Sequence, residues 1–245
     1  MARFFVTKEA IEDTYIHISG DDSFHIARTL RMACGDEITV CDNEGEEYLC
    51  KLAKIRDNEC LCEIISKQKS INESPASITL YMAYPKGDKL ETVVQKAVEL
   101  GAARIVPFES SRCIKRPPED KLDKISLRLN RIAEEAAKQC GRAILPSVSK
   151  MIKFKELTEE IKSYDLPIFC YEGDGAKSLK KILETHASVA KSICVIIGSE
   201  GGFSPDEAEA IIQCGAHCAN LGPRILRCET APDYCLSAIS YFLEL

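Results

Sequence analysis

The sequence predicts an α/β fold: a parallel sheet covered by helices over residues 75–245, preceded by a small β-barrel over residues 1–70. Three observations carry this expectation. Short β-type runs separated by turn residues follow one another before residue 66. Apolar strands alternate with amphipathic helices from residue 78 onward. Between the two patterns lies a polar stretch that contains Pro75.

Taken in order, residues 23–31 suit one helical stretch that ends before Gly35, and residues 37–40, 47–53 and 60–65 are the β-type runs. Turn chemistry separates them, first Asp42-Asn43-Glu44-Gly45 and then Arg56-Asp57-Asn58. Residues 66–77 have no periodicity and are placed as the linker. A strand at 78–81 leads to a helix at 89–100, with Leu90, Val93, Val94 and Val98 on one face and Gly101 as its stop. A strand at 104–108 precedes a long amphipathic helix, 121–140, stopped by Gly141. Further strands are expected at 167–171, 193–197 and 217–221, with helices after Ser178 and Ser204 and a last helix from Pro232. Such alternation argues a parallel sheet with both faces covered.

Composition narrows the function classes. Of 245 residues, 45% are hydrophobic and 29% charged, and no run approaches the roughly 20 apolar residues of a membrane helix. The N-terminal Met-Ala-Arg-Phe-Phe-Val lacks the apolar centre of a secretion signal, so a cytoplasmic location is expected. The 13 cysteines are scattered without a C-x-x-C pair, and His17, His25, His186 and His217 are dispersed. Reduced thiols acting as small hydrophobes, and no metal, are the expectation.

Net charge is −6, unevenly distributed. Residues 1–74 hold nine Lys and Arg against fifteen Asp and Glu, whereas the remainder is balanced. Within that remainder, residues 112–153 carry eleven basic and five acidic side chains. A local basic excess suits phosphate binding, and it equally suits a solvated helix face.

In open parallel sheets, ligands bind beyond the carboxyl ends of the strands. Three such ends stand out. Gly198-Ser199-Glu200-Gly201-Gly202 follows the buried run at 193–197, and Ser204, Pro205 and Glu207 then have the spacing of a capping box. The glycines fit either a close backbone approach to a ligand or a plain tight turn. The loop matches neither G-x-x-x-x-G-K-[ST] nor G-x-G-x-x-G, so an ordinary nucleotide site is disfavoured. The second end is Leu221-Gly222-Pro223-Arg224-Ile225-Leu226-Arg227-Cys228-Glu229-Thr230-Ala231, and the third is Tyr171-Glu172-Gly173-Asp174-Gly175.

The first two of these loops together closely resemble the RsmE family of ribosomal RNA methyltransferases, members of the SPOUT class. The resemblance extends to residues 86–101, to Glu135-Ala136-Ala137-Lys138-Gln139-Cys140-Gly141-Arg142 and to residues 25–35 with Leu30-Arg31, and so spans nearly the whole chain. Ser199 departs from the family's usual proline, which implies a slightly looser loop. The resemblance implies a trefoil-knotted domain, a PUA-like N-terminal barrel, a homodimer, and S-adenosylmethionine as cofactor for methylation of uridine N3 in 16S ribosomal RNA. The cofactor residues it implies are Glu172, Ile197, Gly198, Ser199, Glu200, Gly201, Gly202, Leu221, Gly222, Ile225, Leu226, Arg227, Thr230 and Ala231.

Methylation requires N3 to lose its proton while facing an activated methyl group, so positioning and a cation near the base oxygens are what the protein has to supply. Arg227 is the candidate cation, and a phosphate clamp is its other reading. Glu229 is the candidate to orient Arg227 or accept a proton. Candidates for RNA contacts are Arg3, Arg28, Arg31, Arg112, Lys115, Arg116 and Arg142. On the last helix, Tyr234, Leu236, Ile239, Phe242 and Leu243 offer more apolar surface than one amphipathic face needs, in keeping with the implied dimer. Two other readings fit the same chain: a non-catalytic ribosome-assembly factor that binds RNA, and a SPOUT methyltransferase acting on transfer RNA.

Overall fold

The computed structural model describes residues 1–173 and 175–245; Asp174 of the third loop lies outside the described residues. Two compact units emerge, Met1–Glu73 with Ala137–Leu145, and Ser74–Ala136 with Pro146–Leu245.

The first unit is a five-stranded sheet of β1 (Arg3–Phe5), β2 (Tyr15–Ser19), β3 (Glu37–Cys41), β4 (Glu46–Ile55) and β5 (Glu59–Lys69), in the order β1-β3-β4-β5-β2. Period-2 alternation aims Ile16, Ile18, Ile38, Val40, Cys60 and Cys62 into one core with Phe4, Ile26 and Leu52. Cys50 and Cys62 are part of that core, and burial pushes both thiols up to about 12, so they remain protonated and pack as small hydrophobes. Register shifts between β4 and β5 bend the sheet. β5 continues four residues past the expected end, which shortens the linker to residues 70–76. Those extra residues are exposed, so no apolar alternation marks them. The helical stretch begins with α1 (Asp21–Phe24) and continues as a π-helical turn, His25–Thr29, before Arg31 enters the left-handed region at φ 53°.

Residues 137–145, assigned by sequence to the second domain, belong to the first unit. Arg142 explains why. Its buried guanidinium pairs with Glu73 at 2.7 Å, and the Glu73 carboxylate also accepts the backbone N–H groups of Ala143 (2.8 Å) and Ile144 (3.1 Å). Asn72 donates to the Gly141 carbonyl at 2.9 Å.

The second unit holds β6 (Ser77–Ala83), β7 (Ala102–Glu109), β8 (Ser147–Val148), β9 (Ile152–Lys153), β10 (Leu166–Cys170), β11 (Lys177–Ser178), β12 (Ser192–Ile197) and β13 (His217–Asn220). They run parallel in the order β11-β13-β10-β12-β6-β7-β8, with β9 beside β7. The helices are α2 (Lys89–Glu99), α3 (Leu122–Cys140), α4 (Phe154–Glu160), α5 (Leu179–His186), α6 (Pro205–Gln213) and α7 (Thr230–Glu244). α3 ends in the segment assigned to the first unit. β6 is buried from Ile78 to Ala83, and Tyr81, Phe108 and Phe169 are among the largest fully buried side chains. A sheet so covered is hydrophobic on both faces, hence its near-continuous apolar strands. The carboxyl ends of β13, β10, β12, β6 and β7 lie side by side, and their loops form one edge.

Candidate active site

The glycine loop leaves β12 at Ile197. The Gly202 amide donates to the Ser199 carbonyl at 2.9 Å, closing a tight turn in which Gly202 has φ +65°. A Cβ on Gly198 would lie 2.9 Å from the Phe203 ring, so a side chain there would displace the ring. Ser199 stands within this turn. It is buried, and its hydroxyl donates to the Arg112 carbonyl at 3.5 Å, a bond that proline has no donor to make.

The capping box forms as its spacing requires: Ser204 Oγ accepts the Glu207 amide at 3.2 Å, and the Glu207 carboxylate accepts the Ser204 amide at 3.0 Å. The same carboxylate accepts the Ser111 amide (2.6 Å) and hydroxyl (2.8 Å). Burial opposes ionisation of Glu207, yet these donors hold its carboxyl below the usual range. The loop after β7, residues 110–116, is thereby fastened to the loop after β12. Arg112 Nη1 also donates to the Gly201 carbonyl at 3.4 Å.

The second loop leaves β13 through Gly222, at φ +114°, whose amide donates to Asn220 Oδ1 at 2.6 Å. Ile225 is 85% exposed, and Arg224 and Arg227 stand exposed beside it without ion-pair partners among the described residues. The loop ends where the amides of Thr230 and Ala231 donate to the Arg227 carbonyl, each at 2.9 Å, starting α7.

Lys89, on the first turn of α2, joins the two loops. Its ammonium lies 2.9 Å from Glu200 and 3.0 Å from Glu229, with Cys228 Sγ at 3.8 Å. Glu229 accepts from its own amide and from Lys89, which together hold its carboxyl down to about 2. Burial works against ionisation of Glu200, but Lys89 and nearby amides hold it too below the usual range.

Between the loops lies a cleft of about 570 Å³. Glu172, Ile197, Gly198, Ser199, Glu200 and Gly202 line one side, and Leu221, Ile225, Leu226, Arg227, Glu229 and Ala231 the other. Apolar walls with a few carboxylates and guanidinium groups suit a ligand that combines a flat ring with charged groups.

Residues 72–240 match the model of an RNA methyltransferase domain, and residues 18–68 that of an RNA methyltransferase PUA domain. The ribosomal RNA small subunit methyltransferase E of Bacillus subtilis (strain 168) is 35% identical over 251 residues, covering 100% of this chain and 98% of its own. The protein of that name from Synechocystis is 30% identical, over 99% of this chain and 78% of its own. This chain belongs to the ribosomal RNA small subunit methyltransferase E family. A crystal structure of a methyltransferase E from Neisseria gonorrhoeae bound to S-adenosyl methionine superposes with a TM-score of 0.85 at 27% identity, over 98% of this chain and 97% of that one. A putative methyltransferase from Legionella pneumophila, in complex with the same cofactor, gives 0.84 at 27% identity, over 98% and 97%.

Within this chain, several expected site residues stand elsewhere. Gly201, Gly222 and Thr230 do not line the cleft. Gly201 faces away from it: a Cβ there would meet the Arg112 carbonyl oxygen at 2.7 Å. Glu229 is committed to Lys89 and accepts the Cys228 thiol at 3.2 Å, so it does not orient Arg227. A carboxylate at about 2 is also a weak base.

Two RNA candidates are corrected as well. Arg142 is buried against Glu73, and Arg3 is 12% exposed, bonded to Glu47 (2.9 Å), Cys41 Sγ (2.9 Å) and the Arg142 carbonyl (3.2 Å). Neither guanidinium reaches a phosphate from there. The exposed candidates are Arg28, bidentate on Asp57 at 2.9 and 2.6 Å, Arg31, Arg112, Lys115, and Arg116, which pairs with Glu109 at 2.9 Å.

Sequence reasoning missed Lys89, Cys170, Phe203 and Ala219 in the cleft wall, whereas Arg224 and Tyr171 lie in loops it had singled out. A signal existed for Lys89, which lies in the stretch 86–101 that carried part of the resemblance. Among the described residues, no group of three or more His, Cys, Asp or Glu is placed to hold a metal ion, and no helix is long and apolar enough to cross a membrane.

Proposed function

We propose that this chain is an S-adenosylmethionine-dependent methyltransferase that methylates N3 of a uridine in 16S ribosomal RNA, working as a homodimer in the cytoplasm. One observation carries the reading: two loops of family-specific sequence meet across one cleft at the carboxyl edge of a parallel sheet.

The cleft fits the cofactor. Ile197, Leu221, Ile225 and Leu226 offer an apolar bed for an adenine ring, and the loop around Gly198 and Gly202 exposes backbone groups. Glu172, Glu200 and Glu229 offer acceptors for hydroxyl and ammonium groups. When bound, the cofactor supplies an already activated methyl group. The protein then has to bind the base in line, exclude water and stabilise the charge left on the pyrimidine as N3 loses its proton. Arg227, at the cleft and without an ion-pair partner among the described residues, is the group for that last task, and Arg224 stands next to it.

Exposed Arg112, Lys115 and Arg116 on the loop after β7 suit phosphate contacts, as do Arg28 and Arg31 of the first unit. The reading includes the trefoil knot. Its support is that α7, which follows the edge-ward strand β13, returns to pack on β12, α2 and α5. It also includes the dimer, supported by the exposed Tyr234, Tyr241 and Phe242 of α7. The 13 cysteines as free thiols suit a reducing compartment.

Incubation of ribosomal RNA with the protein and labelled cofactor, followed by mass mapping of digested RNA, tests the reading. A single methylated uridine in the small-subunit RNA is expected. RNA binding without transfer would leave the assembly-factor reading standing, and transfer to transfer RNA alone would move the substrate.

A further inference from the structure

The Lys89 ammonium belongs to neither cofactor loop. It is delivered from α2, through a turn in which Gly87 has φ +63°, to a point where a carboxylate from each loop meets it. Because both contacts are on one nitrogen, the Glu200 and Glu229 carboxylates lie within about 6 Å of each other. All three side chains line the cleft and are one-third exposed or less. We propose that Lys89 is the positioning residue of the cofactor cleft: its ammonium holds the Glu200 and Glu229 carboxylates together and thereby sets the separation of the two loops that bind the methyl donor. The inference rests on the cofactor reading above.

The groups around the tie do not duplicate Lys89: Arg224 and Arg227 line the same cleft, but among the described residues neither pairs with Glu200 or Glu229. Cys228 faces it from the second loop, but burial pushes that thiol up to about 12, so it is neutral. Lys86 reaches Glu200 only through its backbone amide, at 3.3 Å. Further along α2, Lys96 is engaged with Asp233 of α7 at 2.9 Å. Removing the Lys89 charge therefore leaves two like charges facing each other across the cleft, and their repulsion drives the loops apart. An ion pair that only staples the surface would leave ligand affinity untouched when lost.

The test is calorimetric binding of S-adenosylmethionine to the full-length wild-type protein and to Lys89→Met, Lys89→Arg, Glu200→Gln and the double variant Lys89→Met with Glu200→Gln, each checked for folding by circular dichroism. Wild-type affinity is expected to stay flat between about pH 5 and pH 8, where both carboxylates remain ionised. Lys89→Met should bind about tenfold more weakly at the upper end, the equivalent of one charged hydrogen bond. That loss should shrink toward acid pH, where one carboxylate takes up a proton. Lys89→Arg should keep near-wild-type affinity, and Lys89→Met should cost far less in the Glu200→Gln background than in the wild-type background, because the repulsion is already gone. Unchanged affinity in a folded Lys89→Met protein overturns the proposal, as does a loss from Lys89→Met that is equal in the wild-type and Glu200→Gln backgrounds and independent of pH. If Lys89→Met does not fold, the double variant is compared with Glu200→Gln alone: equal affinities support the tie, and binding tenfold weaker than Glu200→Gln overturns it. A wild-type protein that does not bind the cofactor overturns the parent reading and this one with it.

Discussion

The Glu207 carboxylate receives both the backbone amide and the hydroxyl of Ser111, at 2.6 and 2.8 Å, and so fastens the loop after β7 to the first turn of α6. It joins the basic loop at 110–116 to the glycine loop at 198–202, two segments with no common sequence signal.

Glu207→Gln should therefore destabilise the protein by about 1–3 kcal/mol, the cost of leaving buried donors poorly matched. The pH dependence has a defined sign. The folded-state pKa of Glu207 is depressed, so its stabilisation is present above the unfolded carboxyl value of about 4.3 and is lost as pH falls through the lower folded value. Chemical denaturation from neutral to acid pH should show a smaller acid loss in the variant than in wild type. An identical acid profile would mean the carboxylate is not the group that titrates.

Gly201→Val should act on stability first and on cofactor binding through it. The new Cβ meets the Arg112 carbonyl oxygen at 2.7 Å, not the cleft, so the loop must shift. A loss of about 1–3 kcal/mol is expected from such overpacking, together with weaker cofactor binding. Gly202→Ala makes a useful contrast: nothing lies within 4 Å of its Cβ, and only the cost of a left-handed φ, roughly 1–2 kcal/mol, applies. Melting temperature and calorimetry on both variants check this. A Gly201→Val protein with wild-type melting would show that the loop yields freely.

Replacing Arg112, Lys115 and Arg116 together by Ala should weaken RNA binding and flatten its salt slope by about one unit for each phosphate no longer neutralised. Cofactor affinity should survive, because Arg112 supports the glycine loop mainly through its backbone carbonyl. Arg142→Ala is expected to behave differently. It should cost about 1–3 kcal/mol of stability by leaving the half-buried Glu73 without its cation. Filter binding across a salt series, beside denaturation curves, separates the two effects.

Sedimentation should find a dimer at micromolar concentration, and Tyr241→Asp should shift it to monomer. Of the apolar α7 residues expected at an interface, Leu236 and Ile239 are fully buried within their own unit and Leu243 is half-buried, whereas Tyr234 (48%) and Phe242 (38%) are exposed, as is Tyr241 (71%), which the expectation left out. Their spacing places them on one helical face. A wild-type monomer would remove the dimer from the functional reading.

Features that depend on neighbours in sequence were legible in advance. Apolar periodicity marked α2 and α3, and Ser204, Pro205 and Glu207 marked the start of α6 to the residue. The short strands β1, β2, β8, β9 and β11 and the helix α4 left no such mark, since several span only two or three residues or carry few buried positions. The candidate cleft was legible in its two loops, because family-specific motifs occupy them, and illegible in its third wall.

What the sequence by itself determined is therefore the α/β class, the order of the main elements and the two loops at the sheet edge, all of which follow from hydrophobic period and turn chemistry over a few residues. The tertiary structure alone decided which charges meet. Arg142 finds Glu73 across 69 positions and becomes a buried clasp, not a surface cation. Lys89 comes within 3.8 Å of Cys228 across 139 positions and gathers the carboxylates of both loops. Local periodicity holds no information about such pairs: Lys89 and Cys228 meet because parallel strands are joined by long crossovers, and Arg142 meets Glu73 because the segment after α3 returns to the first unit.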